Sequence, residues 1–146
     1  MFMKAVKNKK CMAVSLVTVL AVSITMLVAS SVSVFATSYK FDFRVQAHQV
    51  NSQAKPGRFR GNVPPSNRWW VLLSNSGEGK GALTDFWLEA ESGRNVSSYR
   101  RVKCGEGWYG QSAYESARSK RVYLTAEDNK DKPSGYNVRG LWQPQD

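Results

Sequence analysis

Residues 39–46 read YKFDFRVQ, so Tyr39, Phe41, Phe43 and Val45 share one side while Lys40, Asp42, Arg44 and Gln46 share the other. A period of two without a fault is the pattern of a strand buried on one face. The same stripe recurs in residues 85–91 (Phe86, Leu88, Ala90), 122–127 (Val122, Leu124, Ala126) and 136–142 (Tyr136, Val138, Gly140, Trp142). Shorter strands are predicted over 68–73, 97–104, 108–114 and 58–62. Between them lie turn-forming clusters of Gly, Pro, Asn and Ser at 55–57, 64–67, 74–81, 92–95, 105–107 and 129–135. No stretch after residue 37 keeps an apolar face at helical spacing over three turns. The pattern predicts an all-β domain of seven or eight strands, an antiparallel sandwich or small barrel. Residues 48–67 are the least regular and read as a long loop or a loosely held edge.

The first 36 residues follow a different rule. Lys4, Lys7, Lys9 and Lys10 precede an uncharged run from Cys11 to Phe35, and Val34-Phe35-Ala36 reads as a small-x-small cleavage site before Thr37. The expectation is a helical signal peptide over 1–36, cut between Ala36 and Thr37, and a single secreted β domain over 37–146. The apolar run exceeds the usual signal core of about 7–15 residues and would suit a span of about 20. An uncleaved membrane anchor with its basic end inside is therefore the alternative. Seven of the 24 residues from 12 to 35 are Ser or Thr, which favours cleavage.

Export changes the charge and cysteine arithmetic. The chain has 21 Lys and Arg against 11 Asp and Glu, a formal +10. Four of those lysines and none of the acids lie in residues 1–36, so residues 37–146 hold 17 against 11, or +6. That sign favours anionic surroundings outside the cell, a cell-wall polymer or an anionic lipid surface, although it equally suits plain solubility. Export disfavours nucleic acid as a partner. Cys11 leaves with the signal, which leaves Cys104 without an intrachain partner and excludes a disulfide-stapled fold. A buried thiol is the plain reading of Cys104. A thiol activated by Arg101 and Lys103, or a dimer through Cys104, are the alternatives.

Neighbouring aromatics conflict with a one-sided core, because successive strand residues face opposite sides. One of Trp69 and Trp70 must face out, and so must Trp87 beside Phe86, unless something covers them. Trp70 and Trp87, with Arg101 and Arg121 from the two basic runs, are the candidate binding residues. Catalytic signatures are sparse. His48 is the only histidine, which excludes a site of several imidazoles, and no cofactor or metal is expected. Asp85, Glu89 and Glu91 share a strand face around Trp87; a carboxylate-pair hydrolase is conceivable there, but a solvated face is the expectation. Residues 77–81 (GEGKG) lack the spacing and following Ser or Thr of a phosphate loop and read as a hairpin connection. Residues 127–131 (EDNKD) lack Ca²⁺-ligand spacing and read as a turn.

The opening YKFDF strand, residues 76–81 (SGEGKG) followed by Phe86-Trp87-Leu88, residues 124–129 (LTAEDN) and the aromatic closing strand 136–142 together resemble one family. It comprises small secreted proteins of bacilli, clostridia and enterococci, grouped as a domain of unknown function. The resemblance implies secretion, one domain and a Gram-positive origin. Its motifs are turns and strand cores, so it carries no catalytic residue across; Cys104 and the basic 98–103 strand depart from it. In export, charge and β pattern alone, the chain is also similar to secreted cationic β-sandwich bacteriocins. The sequence thus points to a non-enzymatic secreted protein that associates with the cell envelope, or alternatively to a bacteriocin-like effector acting on competing Gram-positive cells.

Overall fold

The computed structural model of the protein describes residues 37–62 and 66–145. The predicted signal peptide with Ala36, and residues 63–65, which include the first two residues of the predicted 64–67 turn, lie outside the described residues. Among the described residues no helix is long and apolar enough to cross a membrane. Nine strands are present there: β1 (Tyr39–Val45), β2 (Ser52–Gln53), β3 (Arg58–Arg60), β4 (Arg68–Ser76), β5 (Leu83–Ala90), β6 (Arg100–Lys103), β7 (Tyr109–Ser112), β8 (Lys120–Asp128) and β9 (Tyr136–Gln143). The four long alternating stripes are β1, β5, β8 and β9.

Two antiparallel sheets result. One has the order β1-β9-β4-β7; the other runs β2-β8-β5-β6, with β3 also on β8. Their apolar stripes face each other as a sandwich. Phe41, Trp69, Val71, Leu73, Val138 and Trp142 from the first sheet meet Phe86, Leu88, Val122, Leu124 and Ala126 from the second. Phe41 and Phe86 make the contact between layers, with ring centroids 5.7 Å apart at 55°. The core is continuous because each stripe has no polar interruption.

The irregular region is an edge strand in two pieces. β2 pairs Ser52 with Ala126, and Ala54 N–H still donates to the Leu124 carbonyl at 2.8 Å. Pro56 has no N–H to offer the ladder, and pairing resumes at Arg58 opposite Val122. The connection around residues 77–82 differs from the predicted hairpin: it carries the chain from one sheet to the other. A register shift between Leu73 and Asn75 turns Ser76 inward, and Gly79 and Gly81, at φ +96° and +85°, then swing the chain across. Lys132 pairs with both Glu78 of this crossing and Asp128 at the end of β8, tying the crossing down.

Arginines close the two open sides of the sandwich. Arg58 of β3 lies 4.0 Å from the ring centroid of Tyr39 on β1, and Arg100 of β6 lies 5.4 Å from that of Tyr109 on β7. Each cation–π contact contributes on the order of 0.5–1 kcal/mol or somewhat more where, as at Arg58 and Tyr39, both partners are partly buried.

One buried polar contact predicts a pH response. The Tyr136 hydroxyl meets Thr84 Oγ1 at 3.0 Å between the sheets. Burial pushes the phenol from the usual 10 up to about 12. Between those values the unfolded tyrosine ionises while the folded one stays neutral, so stability should hold to about pH 10 and then fall by roughly 1.4 kcal/mol per pH unit until about pH 12. Urea midpoints measured at pH 9 and 11.5 should show the drop. Tyr136→Phe should flatten it, and an unchanged alkaline slope in that variant would refute the assignment.

Candidate functional site

Strand alternation gives the outer side of the four-stranded sheet Lys40, Asp42 and Arg44 from β1, Arg139, Leu141 and Gln143 from β9, Arg68, Trp70 and Leu72 from β4, and Gly110 from β7. The ladders align these side chains in rows. Lys40 stands opposite Leu141, which stands opposite Leu72; Gln143 stands opposite Trp70, which stands opposite Gly110. With strands about 4.8 Å apart, the two leucines and Trp70 form a contiguous half-buried apolar centre. Lys40, Arg68 and Arg139 border it, with Arg44 further along β1 opposite Asn137, against the single carboxylate of Asp42, which pairs with Arg139 Nε at 2.8 Å. A shallow groove of about 330 Å³ opens here between Lys40, Asp42, Leu72, Ser74, Arg139 and Leu141.

Gly110 explains how a large indole fits on this surface. A Cβ at that position would lie 2.7 Å from Trp70 Cζ3 and 2.9 Å from Arg68 Nη2. Trp70 therefore occupies the space over bare backbone of β7. The Arg68 guanidinium carbon stacks 4.8 Å from the centroid of its ring. Arg68 and Trp70 meet because residues at i and i+2 of a strand share a face.

The four candidate residues from the sequence do not form one patch. Trp70 is on the outer face as expected, with Trp69 fully buried beneath it. Trp87 corrects the expectation of an exposed aromatic: it faces outward from the five-stranded sheet but is only 5% exposed. Its Nε1 donates to Glu89 Oε1 at 3.0 Å, and the same carboxylate accepts from Asn51 Nδ2 at 3.0 Å and Gln53 Nε2 at 2.5 Å. The segment carrying β2 thus roofs this side. Of the predicted solvated carboxylate face only Glu91 is exposed; Glu89, under Asn51 and Gln53, is 3% exposed and Asp85 is 5% exposed.

Arg101 is committed to that buried Asp85, donating from Nε and Nη2 at 2.8 Å each. Glu127 stands opposite Asp85 in the ladder, and burial, then the Asp85 charge, pushes its carboxyl above the ordinary range. Arg121 donates from Nη1 to the Gly57 carbonyl at 2.9 Å. It sits six residues along β8 from Glu127, about 20 Å from the Arg101 row. Both arginines lie on the side of the sandwich away from Trp70. Cys104 is 4% exposed, the buried thiol of the plain reading. His48 Nδ1 lies 3.0 Å from Asp131 Oδ1. Among the described residues no group of three or more His, Cys, Asp or Glu is placed to hold a metal ion.

The residues that accompany Trp70 were not singled out from the sequence. Arg68 and Leu72 carry the local signal, since 68, 70 and 72 alternate with the apolar 69, 71 and 73. Leu141 hides between Gly140 and Trp142, where an outward leucine reads as part of an apolar run. Gly110 has no local signal, because its role depends on a tryptophan 40 positions earlier.

The profile of a family described as protein of unknown function (DUF2712) matches residues 32–146. The chain belongs to that family. The match spans both sheets of this DUF2712 domain, including every residue of the Trp70 face. No curated protein matches the chain.

Proposed function

We propose that this DUF2712 protein is an exported, non-catalytic binding domain. It associates with the anionic surface of the bacterial cell envelope through the outer side of its four-stranded sheet. The observation that carries the reading is the Arg68–Trp70 stack over Gly110, set beside Leu72 and Leu141 and bordered by Lys40 and Arg139. Exposed apolar centres with charged rims are contact surfaces, and the excess of cations selects an anionic partner. The basic, apolar and small-residue order of residues 1–36 supplies the export half of the proposal.

Retention of the purified protein on isolated cell walls and on anionic vesicles tests this. Binding should fall as salt rises from about 50 to 500 mM, because the Debye length shrinks from more than 10 Å to less than 5 Å. Absence of retention at low salt, or retention indifferent to salt, would refute it.

A further inference from the structure

The alternation of charge and apolar surface on this face narrows the ligand beyond "anionic". Lys40 ends the cross-strand row Lys40–Leu141–Leu72, and Arg139 stands two residues from Leu141 along β9. Two strand spacings are about 10 Å and two residues about 7 Å. Lys40 and Arg139 are diagonal neighbours about 7–8 Å apart on one side of the leucines, and Arg68 lies on the other side beyond Trp70, so Leu141, Leu72 and Trp70 separate the two groups of cations. A bare polyanion would set phosphate after phosphate against those leucines and lose hydration without compensation. A ligand suited to the surface puts a carbon-rich unit on the leucines and an anionic group at each cation.

We infer that the groove seats a polyol-phosphate chain, in which hydroxylated carbon units are joined by phosphodiesters. The carbon face of one unit lies on Leu72 and Leu141. A phosphate on one side of it meets Lys40 and Arg139, and on the other side the next unit lies on Trp70 with its phosphate at Arg68. Asp42 takes the Nε of Arg139 and holds that side chain at the groove rim. Ser74, whose Oγ donates to the Arg139 carbonyl, and Gln143, whose Nε2 donates to Ser38 Oγ, stand at the margins, where their oxygens can still accept from hydroxyl groups. The groove is open and shallow, a shape suited to a chain passing over a sheet more than to an enclosed small molecule. This ligand assignment rests on the envelope-binding reading and adds the chemistry of its partner.

Three probes separate the outcomes: poly(glycerol phosphate), inorganic polyphosphate of the same phosphate count, and phosphatidylglycerol vesicles. Each is titrated against the purified protein at 100 mM salt with intrinsic tryptophan fluorescence as readout. Poly(glycerol phosphate) should bind at least tenfold more tightly than polyphosphate. Leu141→Asn and Gly110→Ala leave the charge unchanged; both should erase that preference while polyphosphate binding persists. Equal or tighter binding of polyphosphate would overturn the inference in favour of bare electrostatics. Capture by vesicles without binding of the polymer would overturn it in favour of a lipid surface. Both of those results leave the envelope reading standing, whereas failure on all three probes and on whole walls defeats that reading too. The wild-type comparison alone decides the ligand class if a variant misfolds.

Discussion

Trp69→Ala is expected to destabilise the β domain by about 3–5 kcal/mol, while Trp70→Ala, one residue away, should cost far less. Trp69 is fully buried between the sheets and Trp70 only half-buried on the outer side. Truncating a buried indole loses its transfer free energy and leaves a cavity that the rigid sheets fill only in part. One term opposes this. Trp69 Nε1 has no hydrogen-bond partner among the described residues, and removing that desolvated N–H returns about 1–3 kcal/mol. The cavity term still dominates, so the result should sit at the lower end of the range. Against a total stability of about 5–15 kcal/mol for a domain, that loss is a large fraction. Urea midpoints of the two variants check it, and equal losses would contradict the assignment of one tryptophan to the core and the other to the surface. Trp70→Ala should instead abolish wall retention at low salt.

Gly140→Ala is expected to be comparably damaging, at about 3 kcal/mol or more, although it adds a single methyl group. A Cβ there would fall 1.9 Å from the Leu72 carbonyl oxygen and 2.7 Å from Phe41 Cζ. The first obstacle is backbone in the adjacent strand, which gives way only if β4 and β9 separate, and the second is a core ring. Overpacking of this kind costs typically 1–3 kcal/mol and more when the backbone must move. Gly79→Ala is the informative comparison. No atom lies within 4 Å of its added Cβ, and only its φ of +96° is unfavourable, so its cost should stay near 1 kcal/mol. Near-UV circular dichroism and urea midpoints measure both variants. A wild-type midpoint for Gly140→Ala would show that the strands are not packed as closely as described.

The two glycines illustrate how different signals reach the sequence. Gly79 lies in a run of Ser, Asn and Gly that announces a turn. Gly140 sits in an alternating stripe as if it were an ordinary inward residue, and its need for a bare Cα comes from β4, nearly 70 positions earlier. The same division separates the candidate binding residues. Trp70 could be placed outside by alternation alone, because Trp69 and Trp70 cannot share a face. Trp87 obeyed the same rule and also faced out, yet it is buried, because alternation gives direction and says nothing of what lies above a face. Arg101 and Arg121 read as free cations by composition, but one clamps Asp85 and the other a backbone carbonyl.

The chain's own pattern determined the all-β architecture, the four long stripes and which side of each strand faces the core. The chemistry behind those features is local, and the period of two expresses it directly. Tertiary structure alone decided which outer face stays open. Asn51 and Gln53 roof the five-stranded sheet by reaching a carboxylate 38 and 36 positions away. Nothing comparable crosses Leu72 and Leu141 among the described residues, and Gly110 leaves room there for Trp70. Such pairings depend on which strands become neighbours, a property of sheet order that no window of adjacent residues contains.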